Sequence, residues 1–142
     1  MELAAVRGFT LQELLIVLAV AGILLSIAVP RGRAALDRSV VRSAATDVRA
    51  TLGQARTLAL ASHAVVTVDI DTGAGLLRIR RGSGVLLRRA VENAHGVELR
   101  PTRDSLTYDP YGLGRGAANL SIVIARRSAA ETVFVSRLGR IR

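Results

Sequence analysis

The feature that most constrains this chain is an apolar segment near its start, from Phe9 to Val29. As one α-helix, the segment would be about 31 Å long at roughly 1.5 Å per residue, enough to cross the hydrocarbon core of a bilayer. Between Leu14 and Val29 the only polar side chain is Ser26, and one carboxylate, Glu13, lies near the start. The pattern indicates a membrane segment and not part of a soluble core.

Glu13 is a candidate functional residue because an acid at the membrane centre costs about 2.5–3.5 kcal/mol, and less near the edge. It therefore needs a partner of opposite charge. If a protease cut between Gly8 and Phe9, the new α-amino group would lie one helical turn from Glu13. That amine could neutralise the carboxylate within the chain or in a neighbouring subunit.

The residues from Gly8 to Leu15 read G-F-T-L-Q-E-L-L and follow the basic residue Arg7. This motif, with the long apolar run after it, resembles the type IV pilin and type II secretion pseudopilin superfamily. The resemblance implies cleavage after Gly8 by a prepilin peptidase, N-methylation of Phe9, and a role for Glu13 in subunit recruitment and register.

The same resemblance gives Pro30 a place in assembly, because many members of the superfamily have a helix-kinking proline at that point. It implies that other pilins or pseudopilins pack against the N-terminal helix. It also implies a single-pass protein of the bacterial inner membrane with a periplasmic or otherwise extracytoplasmic head, found in a pilus or pseudopilus after assembly.

An ordinary secretory signal peptide is the alternative interpretation of these residues. Its charged region would be Arg7, and its small-residue cleavage site would be Ser26-Ile27-Ala28. An acid such as Glu13 is unusual in the core of a signal peptide. The mature N-terminus distinguishes the two, since it would be Val29 in one case and N-methyl-Phe9 in the other.

Composition restricts the rest of the molecule. With 142 residues, the chain has room for one domain beside the membrane helix. There is no cysteine, which excludes disulfides and thiolate metal sites. All 20 basic residues are arginine, and the net charge of +9 points to an anionic partner.

The chain divides into four predicted segments: a leader peptide at 1–8, a transmembrane and assembly helix at 9–30, the amphipathic half of the same helix at 31–62, and a β head at 63–142. Apolar residues at three- and four-residue steps predict the amphipathic half, to about Ala61. They are Val41, Ala44, Ala45, Val48, Leu52, Ala55 and Ala59. Arg42, Arg49 and Arg56 fall near the opposite face, and Gly22 and Pro30 mark possible bends.

Alternation with a period of two predicts strands after residue 63. The expected strands are 66–70, 76–81, 85–89, 97–100, 105–108, 120–125 and 132–136. The predicted fold class is therefore α+β and pilin-like, with a long N-terminal helix packed against a mainly antiparallel β head.

The C-terminal third extends the resemblance. Residues 106–112 and 136–142 are similar to the head of the GspH/FimT group of minor pseudopilins. Within that group, the ending Gly139-Arg140-Ile141-Arg142 resembles the G-R-x-R DNA-binding motif of FimT-type minor pilins used in natural transformation. The resemblance makes Arg137, Gly139, Arg140 and Arg142 the candidate DNA-binding residues.

Physical chemistry offers a reason for such a motif. In an extended segment, Arg140 and Arg142 project to one side about 7 Å apart, a spacing that suits successive phosphates. Glycine would let the backbone approach a phosphate, and Arg78, Arg80, Arg126 and Arg127 could widen the patch. Because the chain has few aromatic residues, we expect salt-dependent contact with double-stranded DNA, of micromolar affinity, and not base stacking.

Other motifs in the chain indicate no catalytic or metal site and no cofactor. Asp71-Thr72-Gly73 matches the aspartic-protease triplet but lies between two predicted strands, as a hairpin turn does. His63 and His95 are isolated, and the glycine-rich stretch 112–116 does not open a helix. Ser83 lacks the nucleophile-elbow pattern. We therefore do not expect an enzyme.

Two functions remain open. The first is a FimT-type minor pilin that binds DNA for uptake. The alternative is a GspH-type minor pseudopilin of a type II secretion system, with no role in DNA binding.

Overall fold

The structure is a computed structural model that describes residues 9–115 and 119–142. The predicted leader at 1–8, including Gly8, and the end of the glycine-rich stretch at Gly116 lie outside the described residues. The chain forms two compact units, divided between Ala35 and Leu36, and each is described by itself below.

The first helix, α1, spans Leu11–Ser62 and begins with a capping box. The Thr10 backbone N–H and its hydroxyl both donate to Glu13 Oε2 at 2.8 Å, and the Glu13 N–H donates to Thr10 Oγ1 at 3.3 Å. These bonds satisfy polar groups that the start of a helix leaves free. The helix continues through Gly22 and Pro30 without interruption.

In the first unit, the apolar side chains of α1 are exposed. Among the described residues, α1 is the one helix long and apolar enough to cross a membrane, with a mean hydropathy of 2.5 in its most apolar window. The expected apolar character of this segment is confirmed.

In the second unit, α1 buries one stripe against the sheets. The stripe is the predicted apolar set, Val41, Ala44, Ala45, Val48, Leu52, Ala55 and Ala59, together with Asp37 and Thr51. The helix ends at Ser62, and His63 takes a left-handed conformation with φ of 47°. The N–H groups of His63 and Ala64 then bond to the carbonyls of Leu60 and Ala59, in a Schellman pattern.

In the part of the chain that the structure describes, eight strands follow α1 in two antiparallel sheets, with a short helix between the third and fourth strands. In chain order they are β1 Val66–Asp71, β2 Leu76–Arg81, β3 Gly84–Ala90, α2 Val91–His95, β4 Glu98–Pro101, β5 Ser105–Tyr108, β6 Gly114–Arg115, β7 Leu120–Arg126 and β8 Ala129–Val135. The first sheet has the order β3-β2-β1-β5-β6, and the second has the order β4-β7-β8.

One face of each sheet supplies the core that covers the α1 stripe. The inward residues are the alternate apolar ones, such as Val68 on β1, Ile79 on β2, Ile122 on β7 and Val133 on β8. The predicted α+β fold, with a long helix packed on antiparallel sheets, is confirmed.

The structure adds details that the sequence pattern did not predict. The α2 helix and the two-residue β6 were not expected, and β8 begins at Ala129, three residues before the predicted start. Arg49 and Arg56, expected on the solvent side of α1, instead reach the head, where Arg49 pairs with Glu131 and Arg56 Nε donates to the Gly112 carbonyl.

Candidate functional site

The C-terminal tail folds back on β8 as a hairpin. Phe134 and Arg142 exchange two backbone hydrogen bonds of 2.9 Å, and the Ser136 N–H donates to the Arg140 carbonyl at 2.9 Å. Ile141 lies between the two arginines, is partly buried against the core and bridges to Val135. The alternation of an extended chain therefore places Arg140 and Arg142 together on the outward face.

Gly139 closes the three-residue loop of this hairpin. Its φ is +70°, the left-handed conformation that such loops require at their last position. Its N–H donates to the Ser136 carbonyl at 2.9 Å. Gly139 is buried, and a Cβ there would overlap the Gly112 carbonyl oxygen and lie 3.1 Å from Arg56 Nε. In the structure, this glycine allows a close approach to the protein's own backbone at Gly112, and the approach to a phosphate stays a prediction.

A second loop, Asp109–Leu113, packs against the turn of the hairpin. Asp109 Oδ1 accepts the N–H groups of Tyr111 and Leu113, both at 2.9 Å, which holds the loop in one conformation. The Gly114 N–H then donates to the Arg137 carbonyl at 3.0 Å. The loop is also tied to α1, because Arg56 Nε donates to the Gly112 carbonyl at 3.0 Å.

Tyr108 is buried next to this turn, and its Cε1 atom would lie 3.4 Å from a Cβ on Gly139. Burial raises the pKa of the Tyr108 phenol to about 12, although the nearby Arg56 charge acts in the opposite direction. The turn at Gly139 is therefore packed against the buried Tyr108 ring and the Arg56 side chain.

The outward face of the hairpin is both cationic and apolar. Arg137, Arg140 and Arg142 are exposed, as are Phe134 and Leu138. A groove of about 420 Å³ on this face is lined by Arg140 and Arg142 together with Phe134 and Leu138. Within residues 9–115 and 119–142, none of the three arginines forms an ion pair.

The four other arginines expected to widen this patch are engaged elsewhere, which corrects that expectation. Arg78 pairs with Asp71, and Arg80 pairs with Asp69. Arg126 Nε and Arg127 Nη1 lie 3.0 and 3.1 Å from the same oxygen of Asp37, a buried acid on α1. Asp71 and Asp69 neutralise Arg78 and Arg80, whereas Arg126 and Arg127 share the single charge of Asp37. Pairing therefore reduces what these four arginines add to the positive potential at the tail.

At the N-terminal end, Phe9 and Glu13 are both exposed, and Glu13 is bonded to Thr10 as described above. Pro30 is an exposed residue inside α1. The assembly roles of these residues depend on neighbouring subunits and stay predictions.

The other sequence motifs have local structural roles. Asp71 caps the β1–β2 turn, where its Oδ1 accepts the Ala74 N–H at 2.9 Å. His95 ends α2 and lies 2.8 Å from Asp47 Oδ2 on α1. In the described part of the chain, no group of three or more His, Cys, Asp or Glu side chains could hold a metal ion.

Sequence reasoning missed Phe134 as a member of the site. Phe134 lies between Val133 and Val135, which are both buried, so period-two alternation already places it on the outward side of β8. An aromatic residue at an outward position was the available signal. The supporting loop at Asp109 had a weaker signal, the Asp-Pro-Tyr-Gly sequence typical of turns.

Comparison with known proteins agrees with the fold. Residues 44–139 match the family model described as type II transport protein GspH, and residues 3–29 match the prokaryotic N-terminal methylation motif. The pilin-like protein PilA1 of Thermus thermophilus is 32% identical in an alignment of 156 positions, gaps included, that covers 96% of this chain and 97% of that protein.

Two crystal forms of the Pseudomonas aeruginosa type IV minor pilin FimU share the fold. The first has a TM-score of 0.65 at 19% identity and covers 74% of this chain and 88% of FimU. The second has a TM-score of 0.61 at 18% identity and covers 71% and 90%. The N-terminal motif, the long apolar helix and the antiparallel head thus agree with the family matches, and the chain belongs to the type IV pilin and pseudopilin superfamily as a GspH-like minor member.

Proposed function

We propose that this protein is a minor pilin of the FimT type that binds double-stranded DNA during DNA uptake, through Arg137, Arg140 and Arg142. The observation that carries the proposal is the contrast among the arginines of the head. Arg78 and Arg80 on β2 and Arg126 and Arg127 near the β7–β8 turn are paired with acids. The three arginines at the tail have no ion-pair partner among the described residues, and two of them, Arg140 and Arg142, lie on one face beside a groove.

In this proposal the tail acts by electrostatics. Each arginine that neutralises a phosphate releases a counterion, so three contacts give a salt dependence with a slope of about −2.7 in log K against log salt. Contacts of this kind hold the DNA backbone without reading its sequence. The role of Gly139 is to stabilise the turn that places Arg140 and Arg142 on one face.

The N-terminal half supplies membrane anchoring and assembly. The family implies assembly with other pilins. We further propose that residues 1–8 are removed as a leader, that 9–30 span the inner membrane once, and that 31–62 continue as the helix that carries a periplasmic head at 63–142. In an assembled pilus or pseudopilus, Glu13 would then meet the Phe9 amine of a neighbouring subunit, with Pro30 adapting the helix to its neighbours.

The test is a fluorescence anisotropy titration of a 30-base-pair duplex with the full chain in detergent micelles, at several salt concentrations. Changing Arg140 and Arg142 together to Gln should remove most of the binding and reduce the salt slope by about 2. The matched control is the change of Arg81 and Arg88 to Gln, because these exposed arginines lie on the other sheet and both variants lower the net charge equally. If both double variants bind like the wild type, the tail is not the DNA site.

The second candidate is a GspH-type pseudopilin of a type II secretion system, with other pseudopilins as its partners and no role in DNA binding. The match to the GspH model favours it, and that match ends at residue 139, before Arg140 and Arg142. Absence of salt-sensitive DNA binding by the wild-type chain would favour this function. Neighbouring genes also discriminate, since competence genes fit DNA uptake and a secretion operon fits the alternative.

A further inference from the structure

Phe134 is an exposed aromatic residue set directly beside the tail arginines. It forms a hydrogen-bonded backbone pair with Arg142, so the two side chains lie next to each other on the same face of the hairpin. On its other side, Phe134 is paired with Ser121 of β7. The ring therefore has a cation on one flank and a small polar side chain on the other.

The exposure of this ring is not required by the fold. Phe134 is 52% exposed, whereas Val133 and Val135, which alternate with it, fill the core. Its outward neighbours are small, because Ser121 and Thr132 lie on the same face. An exposed aromatic side chain with small neighbours and flanking cations is the arrangement by which β surfaces stack unpaired bases.

The charges on this face suit the backbone of a single strand. Arg140 and Arg142 are two residues apart in an extended segment, so their Cα atoms are about 7 Å apart. The outward positions of the described strands β7 and β8 carry no carboxylate, since Glu131 turns instead to Arg49. Glu98, at an outward position of β4 in the same sheet, is paired with Arg100. The outward positions of β7 and β8 therefore present no charge that would repel phosphates beside a base held at Phe134.

We propose that the groove formed by Phe134, Leu138, Arg140 and Arg142 binds an unpaired nucleotide, with the base on the Phe134 ring and the flanking phosphates on the two arginines. The ligand class is single-stranded DNA, and the inference rests on the proposed DNA-binding function. In a closed duplex the bases are stacked on each other, so a duplex gains only the phosphate contacts. The small number of aromatic residues in the sequence favoured duplex contact, but one ring at this position is sufficient for stacking.

The experiment compares a fluorescein-labelled 20-nucleotide oligo(dT) with a blunt 20-base-pair duplex, both titrated with the full chain in detergent micelles. We expect the wild type to bind oligo(dT) more tightly than the duplex. Changing Phe134→Ala should weaken binding of oligo(dT) about tenfold and change duplex binding by less than twofold. Phe134→Tyr, which keeps the ring, should bind both ligands like the wild type.

The control is Leu86→Ala, which removes an exposed apolar side chain from β3 on the other sheet and should change neither affinity. The inference is overturned if Phe134→Ala leaves oligo(dT) binding unchanged, or weakens both ligands equally. Duplex binding that depends on Arg140 and Arg142 but not on Phe134 would retain the proposed function and reject the stacking site. No binding of either ligand by the wild type would reject both.

Discussion

Replacing Gly139 with alanine should destabilise the head more than the same change at any glycine whose surroundings are open. Gly139 combines a left-handed backbone with a crowded environment. Gly82, in the β2–β3 turn, has a φ of +57° and nothing within 4 Å of a built Cβ. The two glycines therefore share the backbone penalty and differ in packing, which makes Gly82→Ala the matched control.

The expected magnitudes follow from these two terms. A left-handed conformation costs a non-glycine residue about 1–2 kcal/mol, and this is the whole expected loss for Gly82→Ala. At Gly139 the new methyl group also overlaps the Gly112 carbonyl oxygen and lies 3.1 Å from Arg56 Nε. Overpacking of this kind adds about 1–3 kcal/mol, so the total loss for Gly139→Ala is about 2–5 kcal/mol.

The assay is thermal unfolding of the full chain in detergent micelles, followed by the loss of β-sheet circular dichroism. For a head of this size, each kcal/mol corresponds to a shift in Tm of about 4–8 °C. Equal shifts for the two variants would show that the Gly139 turn is not held against Gly112 and Arg56. That result would refute the described packing of the tail.

Two further predictions concern the helix. Changing Glu13→Ala should abolish incorporation into filaments while leaving membrane insertion intact, as measured by immunoblots of sheared filaments and of membranes. Gln12→Ala is the control. Normal incorporation of Glu13→Ala would contradict the pairing of Glu13 with Phe9. Changing Asp47→Asn should lower the free energy of unfolding by about 1 kcal/mol at neutral pH. The variant's free energy of unfolding should also depend less on pH in the acidic range than that of the wild type. Hydrogen bonds from Arg89 and His95 hold the pKa of Asp47 below its ordinary value, so its contribution is present above about pH 4 and is lost as the pH falls through the native pKa. Asp47→Asn and wild type should therefore converge in urea midpoints at acidic pH, and a constant difference between them would contradict this assignment.

Local periodicity predicted most of the fold because most of the described elements bury only one face; β3, which is exposed throughout, is an exception. That burial matches the apolar pattern of the sequence: the buried residues are the α1 stripe from Val41 to Ala59 and the alternating Val66, Val68 and Ile70. The α2 helix was missed because five residues make little more than one turn, too short for a helical period to show. The start of β8 was placed too late because Ala129 and Ala130 are identical residues, so they show no alternation between apolar and polar side chains.

The candidate site was predictable only in part, because the sequence does not show which arginines of the head are paired with acids. Arg127 lies 90 residues from Asp37 in the sequence, yet the two side chains meet in the structure. No local pattern distinguishes Arg127 from Arg137, and only the tertiary arrangement shows which one is neutralised. The position of Gly139 against Gly112 is likewise a tertiary contact, which no local pattern in the sequence shows.

The burial of Tyr108 under the tail has an optical consequence. The chain contains two tyrosines and no tryptophan, so its intrinsic ultraviolet fluorescence comes from Tyr108 and Tyr111 alone. Tyr111 is 79% exposed and meets a dissolved quencher such as iodide, whereas Tyr108 is shielded by the hairpin turn. If the turn moved away from the head, Tyr108 would also become accessible to the quencher. Iodide quenching of tyrosine fluorescence therefore reports, without an added label, whether the C-terminal hairpin is packed on the head. The quenching can be measured while a ligand or a neighbouring subunit is added.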